Sequence, residues 1–309
     1  MKKFLSKINL VDALNYIYFF YLSIIILIRF KLVPYAGFLL FANLCYLLIL
    51  TSLIIITRTD SPWFIRFLRF HLQIMAVTPI YRETEFFMRL YHNRWLDNIV
   101  VKIESFLFGK EFTLILDKLV SPLLTEILKL FYSTYFFIIP LVPLTLFLIK
   151  RYDVFYELVF TMTLALYLCY IGFTLFPVQG PRYYWAYQTI ERWIPFPLTP
   201  AGEGPYYTHT LTGGIITKFV DSVMAFGDST GACIPSAHNA ASLALVGVIW
   251  RYFKKLRIPF TIIVIGIAVG TVYNRYHYFT DMITGLLVGF FSIWISRFFF
   301  KKKRDFIKD

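Results

Sequence analysis

Apolar residues in this chain do not alternate with polar ones. They continue unbroken in runs of roughly 20: Asp12–Ile28, Pro34–Thr57, Leu128–Ile149, Val154–Phe176, Asn239–Phe253, Ile258–Tyr273 and Phe279–Phe300. About 20 apolar residues in a helix cross the hydrocarbon of a bilayer. Within lipid every backbone N–H and C=O must be satisfied by the segment itself or by a closed barrel. A barrel would show alternation, so the unbroken runs predict an all-α, polytopic transmembrane helix bundle.

The polar positions between the runs set the topology. Lys150-Arg151, Lys254-Lys255-Leu256-Arg257 and Lys301-Lys302-Lys303-Arg304 are each two crossings apart, and all are expected in the cytoplasm with Lys2, Lys3 and Lys7. Seven crossings cannot place both termini on one side, so an eighth is expected between Thr57 and Leu128, best met by Trp63–Tyr81. Its Arg66 and Arg69 would snorkel to the cytoplasmic surface. With about eight membrane crossings the inside holds 18 Lys/Arg against 6 Asp/Glu, and the outside 13 against 12. The alternative is that Trp63–Tyr81 lies flat and the N-terminus is outside. The stretch after Met1 is expected to be an anchor, since it leads into a full-length span without a small-residue cleavage site.

Composition narrows the class further. The chain is 58% hydrophobic and 16% charged, where soluble domains have about 25% charged residues. The net charge of +13 sits at the ends of apolar runs. It is therefore assigned to topology and anionic headgroups, with membrane lipids rather than nucleic acid as partners. Cys45 and Cys169 lie in apolar runs and Cys233 in a loop, which implies no disulfide framework. Between Arg82 and Lys118, apolar residues at helical spacing predict amphipathic helices on the membrane surface, broken at Phe108-Gly109. The long Pro-, Gly- and Tyr-rich loop Val178–Ile234 is of a length that is usually functional or disordered.

Three segments at span ends fall on the proposed outer face: Phe176–Trp185, Ile234–His238 and Asn274–Asp281. Together they hold Arg182, His238, Arg275, His277 and Asp281, a set suited to an anion. His277 and Asp281 are four apart and share a face if helical. The carboxylate can then hold the Nδ1 proton and leave Nε2 as base or nucleophile. Pro235-Ser236 reads as a helix start whose N–H groups favour phosphate, with His238 in the first turn as a proton donor. Arg182 and Arg275 can grip phosphoryl oxygens, Arg275 only if the helix begins near His277. Plainer readings stand beside these: Ser236 as a cap, Arg182 as a headgroup contact, His277–Asp281 as a surface pair. Tyr183-Tyr184-Trp185 reads as an interfacial belt. His71, His92 and His209 read as structural or surface residues, and Cys233 as inert.

At these segments the sequence resembles the type-2 phosphatidic acid phosphatase superfamily, through Pro235-Ser236-Ala237-His238 and the His277-to-Asp281 spacing. The resemblance implies His277 as a nucleophile forming a phosphohistidine, Asp281 orienting it, and His238 protonating the leaving alkoxide. It implies a helical core of roughly Val154–Phe300, and the chain is divided accordingly into a catalytic membrane core at 128–309 and an N-terminal membrane region with interfacial amphipathic helices at 1–127. The sequence departs from the family mildly at Ala237, where the second motif has Gly, and at two further places. No Lys lies between Arg151 and Arg182, where the first motif has one, and Thr271 stands where the third motif has Arg. These departures are also similar to the branch of inositol-phosphorylceramide synthases. The expected function is removal of phosphate from a lipid phosphate or diphosphate at the extracytoplasmic face, with no cofactor and no metal. Rival expectations are a lipid phosphotransferase using an alcohol acceptor, a non-enzymatic lipid transporter, and a metal bound by His238, His277 and Asp281.

Overall fold

The computed structural model describes residues 7–58, 60–88, 90–185, 207–227 and 231–301. Lys2, Lys3 and Lys302–Arg304, on which part of the expected topology rests, lie outside them. Each apolar run forms a helix, and local chemistry sets its ends. The helices are α1 (Leu10–Ile28), α2 (Ala36–Ile56), α3 (Trp63–Glu83), α4 (Asp97–Phe108), α5 (Phe112–Leu116), α6 (Pro122–Leu148), α7 (Tyr152–Leu175), α8 (Pro181–Tyr184), α9 (Ile215–Gly227), α10 (Ala237–Tyr252), α11 (Arg257–Tyr273) and α12 (Phe279–Lys301). A reciprocal Asn9–Asp12 capping box starts α1. Ser121 caps α6 with Pro122 in the first turn, so this helix begins before the predicted Leu128. Gly109, at φ 81°, ends α4 at the expected break. Among the described residues there is no strand, only a parallel bridge between Val178 and Ala232.

Six of these segments are long and apolar enough to cross a membrane: α1, α2, α6, α7, Lys254–Tyr273 and Phe279–Phe300. This is an integral membrane protein. The expected count of about eight is not reached by length and composition. The α3 helix carries Arg66, Arg69, Arg82 and Glu83. The α10 helix has 16 residues, about 24 Å. Yet α3 runs alongside α7 for much of its length, from Phe70 against Phe155 to Tyr81 against Phe173. The α10 helix is an inner one, like α7, and packs on α7, α11 and α12 with ten buried residues.

Lipid tails are as apolar as Leu, so helices in a bilayer associate through small residues and polar contacts. Both occur here. Tyr167 on α7 donates to Asn15 on α1 (2.7 Å), and Tyr46 on α2 reaches Asn15 and Gln73 on α3 (2.8 and 2.9 Å). Asn43 donates to Glu83, and Arg69 pairs with Asp12. Phe20, Phe38, Phe106 and Phe298 face outward, each more than 65% exposed.

In the segment Arg82–Lys118, α4 carries the expected amphipathic pattern with its apolar face outward, as a helix lying on a membrane surface would. Asp97, Glu104, Glu111 and Asp117 are buried, while Ile99, Ile103, Phe106 and Leu107 are exposed. The acidic face turns inward because loop N–H and O–H donors there need acceptors, leaving the apolar face outward.

Where α12 crosses α10, a Cβ on Gly285 would lie 2.4 Å from the Ser236 carbonyl oxygen, whereas one on Gly37 would meet nothing within 4 Å. Gly285→Ala is expected to cost about 1–3 kcal/mol by overpacking. Gly37→Ala should be neutral or slightly stabilising. Thermal melting of the two variants in detergent checks this.

Candidate active site

The three polar segments leave the helices at one end of the bundle, where their main-chain groups need partners. They find them largely in one another. Arg182 N donates to Arg275 O (3.1 Å), Ser236 N to Asp281 O (3.0 Å), and the Cys233 thiol to Gln179 O (3.2 Å). Tyr276 N and His277 N both donate to Thr271 O at 3.0 Å, closing the turn after α11 in which Arg275 has φ 62°. Gly180, at φ 95°, faces Cys233: a Cβ there would lie 2.6 Å from Sγ, so the turn into α8 requires glycine.

This stitching aligns four side chains. His277 Nδ1 faces Asp281 Oδ2 at 3.5 Å, an ion-pair separation rather than a tight hydrogen bond. His277 Nε2 lies 3.3 Å from His238 Nδ1, and His238 Nε2 lies 3.1 Å from the Tyr132 hydroxyl. The helix starts at Phe279, so His277 precedes it. The His277–Asp281 contact comes from the turn, not from a shared helix face as the spacing alone suggests. A carboxylate only accepts hydrogen bonds. An ionised Asp281 therefore favours the proton on Nδ1 of His277 and leaves Nε2 as a lone pair. Nδ1–H of His238 then donates to it, and the Tyr132 hydroxyl can donate to Nε2 of His238. Tyr132 is fully buried on α6. In the sequence it reads as one more apolar-run tyrosine.

Both histidines open onto a cavity of about 160 Å³ whose walls include Tyr81, Tyr135, Tyr170 and Arg182. The Arg182 guanidinium sits over the rings of Tyr183 and Tyr276, 5.5 and 5.9 Å from their centres. Tyr183 lines this cavity, and Trp185 is buried with its indole N–H on Glu111 (3.1 Å). These two do not form the expected interfacial belt, because the turn at Gly180 folds them inward.

Two expected phosphate ligands are placed differently from the other site residues. Arg275 donates to Asp117 Oδ1 (2.8 Å) and His209 O (2.7 Å), with its guanidinium 3.6 Å from the centre of the Tyr207 ring. It is not among the residues lining the cavity. Ser236 is buried as the N-cap of α10, accepting from Asn239 N and Nδ2. His209 is half-exposed on Asp117, His71 is wedged against Phe67 and Phe147, and His92 bonds Leu175 O. Ligand atoms of Cys233, His277 and Asp281 lie within 4.8 Å of one another, a set containing Cys233 where the sequence suggested His238. The thiol donates to carbonyl oxygens there, as a structural donor does.

The residues that sequence reasoning passed over are the acidic braces. Asp97 accepts from Gln179 N (2.9 Å), Gly180 N (3.0 Å) and Tyr278 Oη (3.0 Å), joining the first and third segments. Glu104 accepts from Thr280 N (2.7 Å).

A family profile described as the PAP2 superfamily matches residues 100–295. The chain belongs to the PAP2 superfamily. No curated protein and no solved structure matches it. The match in this PAP2 superfamily chain runs through Glu104, Glu111 and Asp117 to Asp281. With its apolar helices, it makes the chain a membrane protein of phosphatase type.

Burial pushes the Asp97 and Glu111 carboxyls up to about 7, against the pull of their donors. Both values lie above those of an open chain, about 3.9 and 4.3. The folded state thus binds the extra protons between about pH 4 and 7, and stability falls as pH rises through that range. Melting in detergent should drop between pH 5.5 and 8.5. Asp97→Asn should flatten the slope and, by turning an amide N–H toward a backbone donor, cost about 1–3 kcal/mol at pH 6.

Proposed function

We propose that this protein removes phosphate from a lipid phosphate or diphosphate through a phosphohistidine on His277. The observation that carries this reading is the run Asp281–His277–His238–Tyr132, its two imidazoles 3.3 Å apart at the wall of a largely aromatic cavity that also holds Arg182.

In the reaction the phosphoryl group replaces the hydrogen bond between the imidazoles. Nε2 of His277 attacks phosphorus, and the P–O bond to the lipid alkoxide breaks. His238, held as the imidazolium by the charge of the bound phosphate, gives its Nδ1 proton to the departing oxygen and is left a neutral imidazole. Asp281 stabilises the positive charge that develops on the His277 ring as its N–P bond forms. Arg182 neutralises phosphoryl oxygens, as a planar donor suits. Water then attacks phosphorus, returning its proton to His238 and freeing His277. The aromatic wall formed by Tyr81, Tyr135 and Tyr170 suits the lipid's apolar part.

Topology enters the same reading. With α3 and α10 added to the six apolar segments, eight crossings place both termini in the cytoplasm and the site on the extracytoplasmic face. In favour, Lys150, Arg151 and Lys254–Arg257 cap helix ends remote from His277. The first 127 residues then act chiefly as a brace for the core at 128–309, through Asp97, Glu104, Glu111 and Asp117.

His277→Ala should abolish phosphate release from a detergent-solubilised lipid phosphate while the protein still inserts in the membrane. His238→Ala should slow it by about 10²–10⁴-fold. Full turnover in His277→Ala would overturn the assignment. Mass spectrometry of products with and without added lipid alcohols separates hydrolysis from transfer. Product that forms only with the alcohol identifies a phosphotransferase.

A further inference from the structure

A second cavity opens at the other end of the bundle and is not used by the chemistry above. Its volume is about 500 Å³, and Lys7, Arg58, Arg66 and Arg69 lie on its walls. Two helices carry both cavities and measure their separation. On α7, Tyr156 lines the basic cavity and Tyr170 the histidine cavity, fourteen residues or about 21 Å apart along the axis. On α12, Phe300 lines the basic cavity, about 28 Å from Asp281.

The charge in this cavity is mostly uncompensated. Arg69 pairs with the buried Asp12. Among the described residues no carboxylate lies within ion-pair distance of Lys7, Arg58 or Arg66. Lys7 Nζ donates to the Ile55 carbonyl (2.7 Å), and the Arg66 guanidinium sits 5.2 Å from the centre of the Tyr152 ring. These contacts orient the cations without neutralising them. Thr57 Oγ1, on the same wall, is buried without a hydrogen-bond partner among the described residues. A hydroxyl donor beside three cations in a roomy cleft matches a tetrahedral oxyanion. Leu10, Val11, Ile54, Phe70 and Phe300 form an apolar wall, with Asn9, Tyr152 and Tyr156 beside it. Basic pockets between membrane helices hold anionic headgroups on this physical basis.

We propose that this cavity is a second binding site, for a phosphate-bearing anion, best met by the phosphodiester headgroup of an anionic membrane lipid. It is separate from the histidine cavity, and its occupancy does not depend on His277.

The test uses the full chain in detergent with phosphatidylglycerol, a diester rather than a terminal phosphate, against phosphatidylcholine. Native mass spectrometry reads the lipid retained. Wild type and His277→Ala are expected to retain phosphatidylglycerol preferentially. The combined Lys7→Gln, Arg58→Gln and Arg66→Gln variant should lose that preference by roughly 100-fold, about fivefold per charge. Arg69 is kept because it neutralises Asp12, and turnover at His277 reports that the variant is folded. Inorganic phosphate supplies the second arm. If it raises the melting temperature of His277→Ala but not of the triple variant built on His277→Ala, while lipid retention is the same in both, the site takes the free anion. Equal lipid retention and equal phosphate response in parent and triple variant would overturn the proposal.

Discussion

Loops packed against one another at the end of a helix bundle are shielded from water, and their buried main-chain groups must be satisfied by protein. Three polar segments emerge together at one end of this bundle, and their hydrogen bonds go to one another and to a set of inward-turned carboxylates. The Ser236–Asp281 and Arg182–Arg275 main-chain bonds fix the relative depth of the segments. Asp97 closes the arrangement by taking two backbone N–H groups and a tyrosine hydroxyl. The alignment of the imidazoles is a consequence of this stitching.

The electrostatics of the site are leaner than the motif resemblance implies. Thr271 occupies the place of an arginine, and it is fully buried with its hydroxyl 3.1 Å from Asn239 Nδ2. That position has become part of the α10–α11 contact. Arg275 is held by Asp117 and His209, so it shapes the loop below the site. Among the described residues, Arg182 is the arginine on the cavity wall. The rest of that wall is largely histidine, tyrosine and apolar side chains.

The molecule is polar in the axial sense. One end gathers histidines, tyrosines and buried acids, and the other gathers lysines and arginines around a wide cleft. Between them Asn15, Tyr46, Gln73 and Tyr167 tie α1, α2, α3 and α7 by hydrogen bonds that lipid cannot replace. These contacts cross the division expected near residue 127, joining α7 of the expected core to helices of the N-terminal region.

By itself the sequence determined the helical class, most helix positions, the helix start at Ser236 and the grouping of His238, His277 and Asp281 at one end. Apolar runs, caps and charge placement are local signals and survive without tertiary knowledge. It could not show that Tyr132 completes the histidine chain, since one tyrosine in an apolar run looks like another. Nor could it show that Asp97 and Asp117 reach segments more than 80 residues away. It predicted the amphipathic pattern of Arg82–Lys118 but not which loop donors the acidic face serves, because periodicity fixes which residues share a face and not what that face meets. Tertiary structure decided those points through the demand of buried loop donors for acceptors, a demand that appears only once the loops have been brought together.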